Sequence, residues 1–126
     1  MACTVRVIRR TIRAALAANR ALGYRTLSGR IAADVAAGRL ILVRDFLDQV
    51  GGTDLPDGVR SWFGRYAKRA HVAATGRTPL TVWAQHCTTG RWIHVHAYQP
   101  HDPALHTALA GYAATRHLVA AHTLAA

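Results

Sequence analysis

Apolar residues recur at helical spacing near the start of the chain. The first set comprises Val5, Ile8, Ile12, Ala15 and Leu16, with arginines around it. Gly23 predicts the end of this helix, because glycine is common just past a helix C-terminus. A second short helix is expected between a cap at Thr26 or Ser28 and a stop at Gly38. The opening pattern is therefore helical.

A third apolar segment completes a helical part that spans residues 1–50. Residues 40–50 are expected to form its last helix. The inward positions of that helix are Leu40, Val43, Phe46, Leu47 and Val50. Gly51-Gly52 and Pro56 then indicate a turn between two packed helices.

Residues 57–75 predict an amphipathic helix that follows this turn. Asp57 is its expected N-cap and Gly76 its stop. The inward side is expected to hold Val59, Trp62, Phe63, Tyr66, Ala70 and Ala73. The other side is basic, with Arg60, Arg65, Lys68, Arg69 and His71. Gly64 in mid-helix costs about 1 kcal/mol relative to alanine, which is tolerable where another backbone must come close.

Residues 80–98 predict a β-hairpin directly after the basic helix. A two-residue turn at Thr89-Gly90 would place Ala84 opposite Val95. One face is then apolar, with Val82, Ala84, Ile93, Val95 and Ala97. The other carries Trp83, Gln85, Cys87, Trp92, His94 and His96. These aromatic rings would either stack on unpaired bases or pack under the first or last helix.

The chain is expected to close with a helix over residues 102–122. Asp102 serves as its N-cap and Pro103 occupies the first helical position. Residues 1–126 then form one domain of α+β class, mostly α. A basic helix followed by a hairpin is the second half of a winged helix-turn-helix, and the hairpin would be its wing.

Charge favours a polyanionic partner for this fold. The 126 residues hold 16 Lys+Arg against six aspartates and no glutamate, which gives a formal charge of +10. Lys68 is the single lysine. The dominance of arginine and alanine suggests a GC-rich genome of the actinobacterial kind. The arginines of the first helix form either a solvated cationic face or a phosphate-contacting one.

The remaining composition points to a cytoplasmic protein. Cys3 and Cys87 are too few for a disulfide framework, so free thiols in a reducing compartment are expected. No uninterrupted apolar run approaches the roughly 20 residues of a membrane span. We therefore expect no membrane partner.

The basic segment resembles the recognition helix of winged-helix domains in phage and plasmid replication proteins and small regulators. The matching positions are Ser61, Gly64-Arg65 and Lys68-Arg69, followed by the hairpin. Residues 40–98 also resemble short uncharacterised proteins of streptomycetes and their phages. The resemblance implies that Ser61, Arg65, Lys68 and Arg69 face DNA.

The sequence thus predicts a small DNA-binding protein, regulatory or accessory to replication, of an actinobacterium, its plasmid or its phage. The expected contact residues are Arg60, Ser61, Gly64, Arg65, Lys68, Arg69, Arg91, Trp92 and His94. Two alternatives stay open: a module that binds an acidic protein surface, and an RNA-binding protein. A homodimer also stays open.

Catalysis has no comparable motif in the sequence. The six aspartates form no paired-carboxylate pattern, and no cofactor or metal site is predicted. We therefore expect a protein that is not an enzyme. A metal-independent ribonuclease remains an alternative, with His94 or His96 as acid and base and Lys68 on the phosphate.

Overall fold

The computed structural model describes residues 2–86 and 88–120, and side chains from Thr4 onward. Within these residues the fold is α+β and mostly helical, with five α-helices and one three-stranded antiparallel sheet. The helices are α1 Ala2–Ser28, α2 Arg30–Ala36, α3 Val43–Gln49, α4 Asp57–Thr75 and α5 Pro103–Gly111. The strands are β1 Ile41–Leu42, β2 Leu80–Gln85 and β3 Trp92–Tyr98.

Helix α1 continues past Gly23, so the predicted end of the first helix was wrong. It ends instead at Ser28, where Gly29 takes a positive φ of 57° that favours glycine. Thr26 and Ser28 are not caps of a second helix. Their hydroxyls donate to the carbonyls of Leu22 and Tyr24 one turn earlier, because both residues still lie inside α1.

The predicted helix over residues 40–50 was wrong in its first three residues. Ile41 and Leu42 form β1 and pair with Tyr98 and Ala97 of β3. Helix α3 begins only at Val43. The apolar run 40–43 fits a strand as well as a helix, and pairing with the distant β3 decides between them.

The hairpin lies where the sequence predicted it, but its connection is longer. Gln85 pairs with Trp92, and His86 donates its backbone N–H to the Arg91 carbonyl at 2.7 Å. Ala84 therefore lies opposite Ile93 rather than Val95. This shift is two residues, so each described side chain keeps its predicted face, while Cys87 lies outside the described residues.

The sheet separates two apolar clusters. On one face, α2 covers a cluster of Leu40, Leu42, Val82, Ala84 and Ala97. On the other face, Tyr98 and Ile41 pack with α3, α4 and α5. The second cluster includes Phe46, Leu47, Val50, Phe63, Ala67, Leu105, Ala108 and Leu109. Helix α4 is thereby fixed beside β3.

The C-terminal helix is shorter than predicted. Asp102 is its N-cap, as expected, and accepts from the Ala104 N–H at 2.9 Å. Helix α5 ends at Gly111, and Tyr112 turns to an extended conformation with its ring stacked on Tyr66. The Thr115 hydroxyl donates to the carbonyl of Leu109, in the last turn of α5. A 3₁₀ turn follows over Arg116–Leu118, and residues 121–122 of the prediction lie outside the described residues.

Candidate nucleic-acid interface

Helix α4 has a buried side and a basic outer side. Phe63 and Ala67 are fully buried, because they face the cluster formed with α3 and α5. Ser61, Arg65, Lys68 and Arg69 are exposed on the outer side. The helix therefore presents the predicted polar residues outward while its opposite side anchors it in the core.

Trp62 belongs to the outer side, so the prediction that it faces inward was wrong. Its side chain is 50% exposed, and the Arg65 guanidinium lies 4.5 Å from the centre of its ring. Ala73 is exposed as well. Helical spacing left the width of the buried stripe on α4 undetermined, and Trp62 lies outside that stripe. The indole instead supports the guanidinium of Arg65.

A groove of about 460 Å³ lies between α4 and the hairpin. Apolar side chains line its interior: Leu42, Val43, Leu47, Ala84, Ile93 and Val95. Cationic and imidazole side chains line it too: Arg44, Arg60, Arg65, Lys68, His86, His94 and His96. Asp57 is the one acidic lining residue. Such a groove suits an anionic partner with some apolar surface.

The groove brings together six of the nine predicted contact residues. These are Arg60, Ser61, Gly64, Arg65, Lys68 and His94. A Cβ added at Gly64 would meet no described atom within 4 Å, so packing within the chain does not require glycine there. The open space beside Gly64 leaves room for a partner to approach the helix backbone.

Arg60 differs from its basic neighbours because its guanidinium already has acceptors. It donates to the Gly52 carbonyl at 2.8 Å, to the Arg44 carbonyl at 3.0 Å and to Asp48 at 2.9 Å. Its side chain is only 19% exposed. Arg60 thus ties α4 to α3 and to the turn between them. We assign it a positioning role.

Arg65 and Lys68 have no such ties. Among residues 2–86 and 88–120, neither takes part in an ion pair, whereas Arg30, Arg39, Arg44 and Arg60 each lie within 4.0 Å of an aspartate. The charges of Arg65 and Lys68 are therefore available to a partner.

His96 lies in the groove near Lys68, in surroundings that act on the pKa of its imidazole. Burial lowers the pKa of its imidazole, and the positive charge of Lys68 lowers it further. Its Nδ1 atom is buried and has no hydrogen-bond partner in the described part of the chain. At neutral pH the ring is accordingly neutral, and an anion entering the groove would favour its protonated form.

Trp92 and Arg91 do not join the groove. The ring of Trp92 stacks on Tyr24 of α1 at 4.8 Å between centres, so it packs under the first helix, one of the two predicted alternatives. Arg91 is exposed in the connection between β2 and β3. Arg69 points its guanidinium over the ring of Tyr66 at 5.6 Å. These three residues surround the site without lining it.

Three of the seven cationic and imidazole residues that line the groove were not among the predicted contacts. His96 could have been found, because it alternates with His94 on the same strand face. Arg44 and His86 gave no such signal. Arg44 enters the groove because its guanidinium donates to the Gln85 carbonyl at 2.8 Å, a contact between residues 41 positions apart.

Comparison of the chain with protein-family models, with curated proteins and with solved structures finds no match in any of the three. Across residues 2–86 and 88–120, no helix is both long and apolar enough to span a bilayer. Within the same residues, no three His, Cys, Asp or Glu side chains are grouped closely enough to hold a metal ion. The case for a function rests on the groove and on the basic helices.

Proposed function

We propose that this chain is a winged-helix DNA-binding protein. The order α2–β1–α3–α4–β2–β3 resembles that of winged-helix domains, in which the last helix before the hairpin is the recognition helix. The strand order β1-β3-β2 resembles them too, because a short first strand pairs with the last strand of the wing. In this proposal α4 is the recognition helix and the β2–β3 hairpin is the wing.

The observation that carries the proposal is a pair of positive charges on α4 that no described carboxylate neutralises. Arg65 and Lys68 are three positions apart, exposed and without an aspartate within ion-pair distance in the described residues. A recognition helix needs such an outward polar face while its other face stays in the core. Lys68 and Arg65 would bind phosphate, and Ser61 lies one turn earlier for a base edge or a phosphate.

The hairpin would add contacts beside the recognition helix. Arg91 lies exposed at its tip, where an arginine reaches a phosphate or a narrow minor groove. His94 of β3 lines the groove and follows Arg91 in the same hairpin. Such a protein would work in the cytoplasm of an actinobacterium, as a regulator of transcription or an accessory to replication.

A protein partner is the second candidate, and the lining of the groove favours it. Ile93 and Val95 present apolar surface beside Lys68 and Arg65, which suits an acidic segment carrying apolar side chains. Duplex DNA ranks first because the excess charge extends well beyond the groove, to the arginines of α1. RNA is the third candidate and forms an arm of the same experiment.

The test is a binding titration against duplex DNA, single-stranded DNA and RNA at several salt concentrations. For Arg65→Ala combined with Lys68→Ala, the magnitude of the slope of log affinity against log salt should fall by about 2, one for each lost phosphate contact. Duplex DNA should bind the wild-type protein most tightly.

The matched control removes the same charge elsewhere. Arg30→Ala combined with Arg77→Ala takes two exposed arginines from outside the groove lining. We expect a smaller change of slope in this variant. Equal slopes for both variants and the wild type would refute the assignment of α4 to DNA. Weak, salt-insensitive binding to all three nucleic acids would favour the protein partner.

A further inference from the structure

Helix α1 carries an apolar stripe that the described part of the chain leaves uncovered. Each described side chain from Thr4 to Arg20 is exposed. The large apolar members of the stripe are between 50 and 63% exposed: Val5, Ile8, Ile12, Leu16 and Leu22. A contiguous apolar surface of this kind marks an interaction site.

Only the last turns of α1 hold it to the body. Tyr24 packs against Trp83 and Trp92 with ring centres 5.0 and 4.8 Å apart. The Ser28 hydroxyl accepts the backbone N–H of Trp83 at 3.0 Å, on the free edge of β2. The helix is therefore anchored at its C-terminal end and projects its N-terminal part into solvent.

The stripe follows a seven-residue repeat. Its alternating a and d positions are Val5, Ile8, Ile12, Ala15, Asn19 and Leu22. β-branched residues at a positions favour two-stranded coiled coils where leucine holds d, as Leu22 does here, whereas Ile8 at d beside Ile12 favours more strands. A single asparagine at an a position, here Asn19, is the device that fixes register and strand number in such a pair.

Four of the six arginines of α1 lie where a second helix would not meet them. Arg6, Arg13 and Arg20 occupy b positions and Arg10 an f position, on the outside of a helix pair. In a parallel pair, the flanking g and e′ positions would join Thr4 to Arg9, Thr11 to Leu16 and Ala18 to Gly23. No two arginines face each other across these three pairs.

We propose that the apolar stripe of α1 binds α1 of a second copy of this chain, in a parallel coiled coil. The two bodies would then lie at the same end of the pair, because each is attached at Tyr24 and Ser28. A lipid surface fits the stripe less well, since Asn19 sits among its apolar residues and would lose its hydrogen bonds there. The inference stands independently of DNA binding.

The affinity of this self-association should depend on salt in the opposite direction to the affinity for a nucleic acid. Each α1 carries six arginines and no acidic residue, so two copies repel each other through their outer faces. Added salt screens that repulsion. Self-association should therefore strengthen several-fold as salt rises, while binding to a nucleic acid weakens.

The first experiment measures the mass of the full chain by sedimentation equilibrium without nucleic acid. The mass should rise from 13.7 kDa towards twice that value as protein concentration increases, and more readily at higher salt. Ile8→Asp combined with Ile12→Asp should abolish the rise. The matched control, Val7→Asp combined with Ala14→Asp, places the same charges at outward c positions and should retain it.

The outcomes separate the proposal from its rivals. A wild-type mass of 13.7 kDa at all concentrations would overturn it, as would a dimer that survives Ile8→Asp with Ile12→Asp. Loss of the dimer in both variants alike would also count against a contact through the a and d positions of α1. A monomer whose α1 binds phosphatidylglycerol vesicles, and loses that binding in the first variant, would assign the face to a lipid surface instead.

The orientation has its own test by cross-linking. In a background with Cys3→Ser and Cys87→Ser, Asn19→Cys would place two thiols at a parallel seam, within the roughly 6 Å between Cα atoms that a disulfide spans. Copper–phenanthroline accepts the two electrons released when the thiols lose their protons and form the S–S bond. Rapid linkage at Asn19→Cys and slow linkage at the outward Arg20→Cys is expected. Equal rates would overturn the parallel arrangement.

Discussion

Helices α1 and α4 are both long, basic and amphipathic, but only α4 buries its apolar side within the chain. Helix α4 places Phe63 and Ala67 in the main cluster. Helix α1 leaves Ile8 and Ile12 half-exposed. The difference comes from the neighbours, since α5 and α3 pack along α4 whereas, among the described residues, α1 meets the body near its C-terminal end at Tyr24 and Ser28.

The comparison separates two uses of a basic face. On α4 the positive charges sit on a rigid element beside a groove, which suits contacts of defined geometry. On α1 the arginines form a projecting surface that attracts polyanions without a shaped site. We therefore expect substitutions in α4 to affect folding and specific contacts, and substitutions in α1 to affect self-association and general electrostatic attraction.

The largest expected difference concerns the apolar sides. Phe63→Ala should lower the free energy of unfolding by roughly 3–5 kcal/mol, because the fully buried ring leaves a cavity. The matched change Ile12→Ala on α1 should cost less than about 0.5 kcal/mol at protein concentrations where the chain is monomeric. Urea unfolding measures both. Similar losses would mean that α1 packs against the body in solution.

A smaller difference is expected between two arginines. Arg60→Ala should lower the free energy of unfolding by about 1–3 kcal/mol, because three hydrogen bonds from one guanidinium are lost. Arg13→Ala on α1 should be nearly neutral. If Arg60→Ala leaves stability intact and weakens DNA binding as Arg65→Ala does, its role is contact rather than positioning.

A further difference concerns pH. The pKa of His96 is lower in the folded than in the unfolded protein, so the unfolded state binds more protons as pH falls below about 6.5. The stability contributed by neutral His96 is present above that pH and is lost as pH falls through the folded pKa. Lys68→Ala should raise the His96 pKa in an NMR titration, whereas Arg13→Ala should not change it. An unchanged pKa in Lys68→Ala would place the two charges farther apart than the structure has them.

The smallest effect is expected at the hairpin tip. Arg91→Ala should lower the magnitude of the slope of log affinity against log salt by about 1. The unfolding curve should stay unchanged, because the side chain is exposed. Duplex titration and urea unfolding on one preparation check both. Full DNA affinity combined with weaker binding to an acidic protein partner would favour the second candidate function.

Several elements of the fold could be predicted because their signals are local. The stop of α4 at Gly76, the faces of the described hairpin residues and the Asp102 cap follow from turn residues, period and capping chemistry. The prediction of Asp57 as the N-cap of α4 was wrong, because Asp57 is already helical and the extended residue before it is Pro56. Predictions failed where partners distant in sequence decide. Ile41 lies in a strand because it pairs with Tyr98 of β3. Gly23 remains helical because the backbone hydrogen bonds of α1 continue through it to Ser28. The structure brings six of the nine predicted contact residues into one groove, and Arg44 lines that groove without having been predicted.

The sequence by itself determined the charge, the helical and strand periods, and the set of residues on each face of the hairpin. Tertiary structure decided which apolar faces are covered, which arginines are neutralised and where the groove opens. Periodicity reports only that one side of an element is apolar. Whether that apolar side is buried depends on which other elements pack against it. Such packing joins residues tens of positions apart, as where the Trp83 N–H donates to the Ser28 hydroxyl.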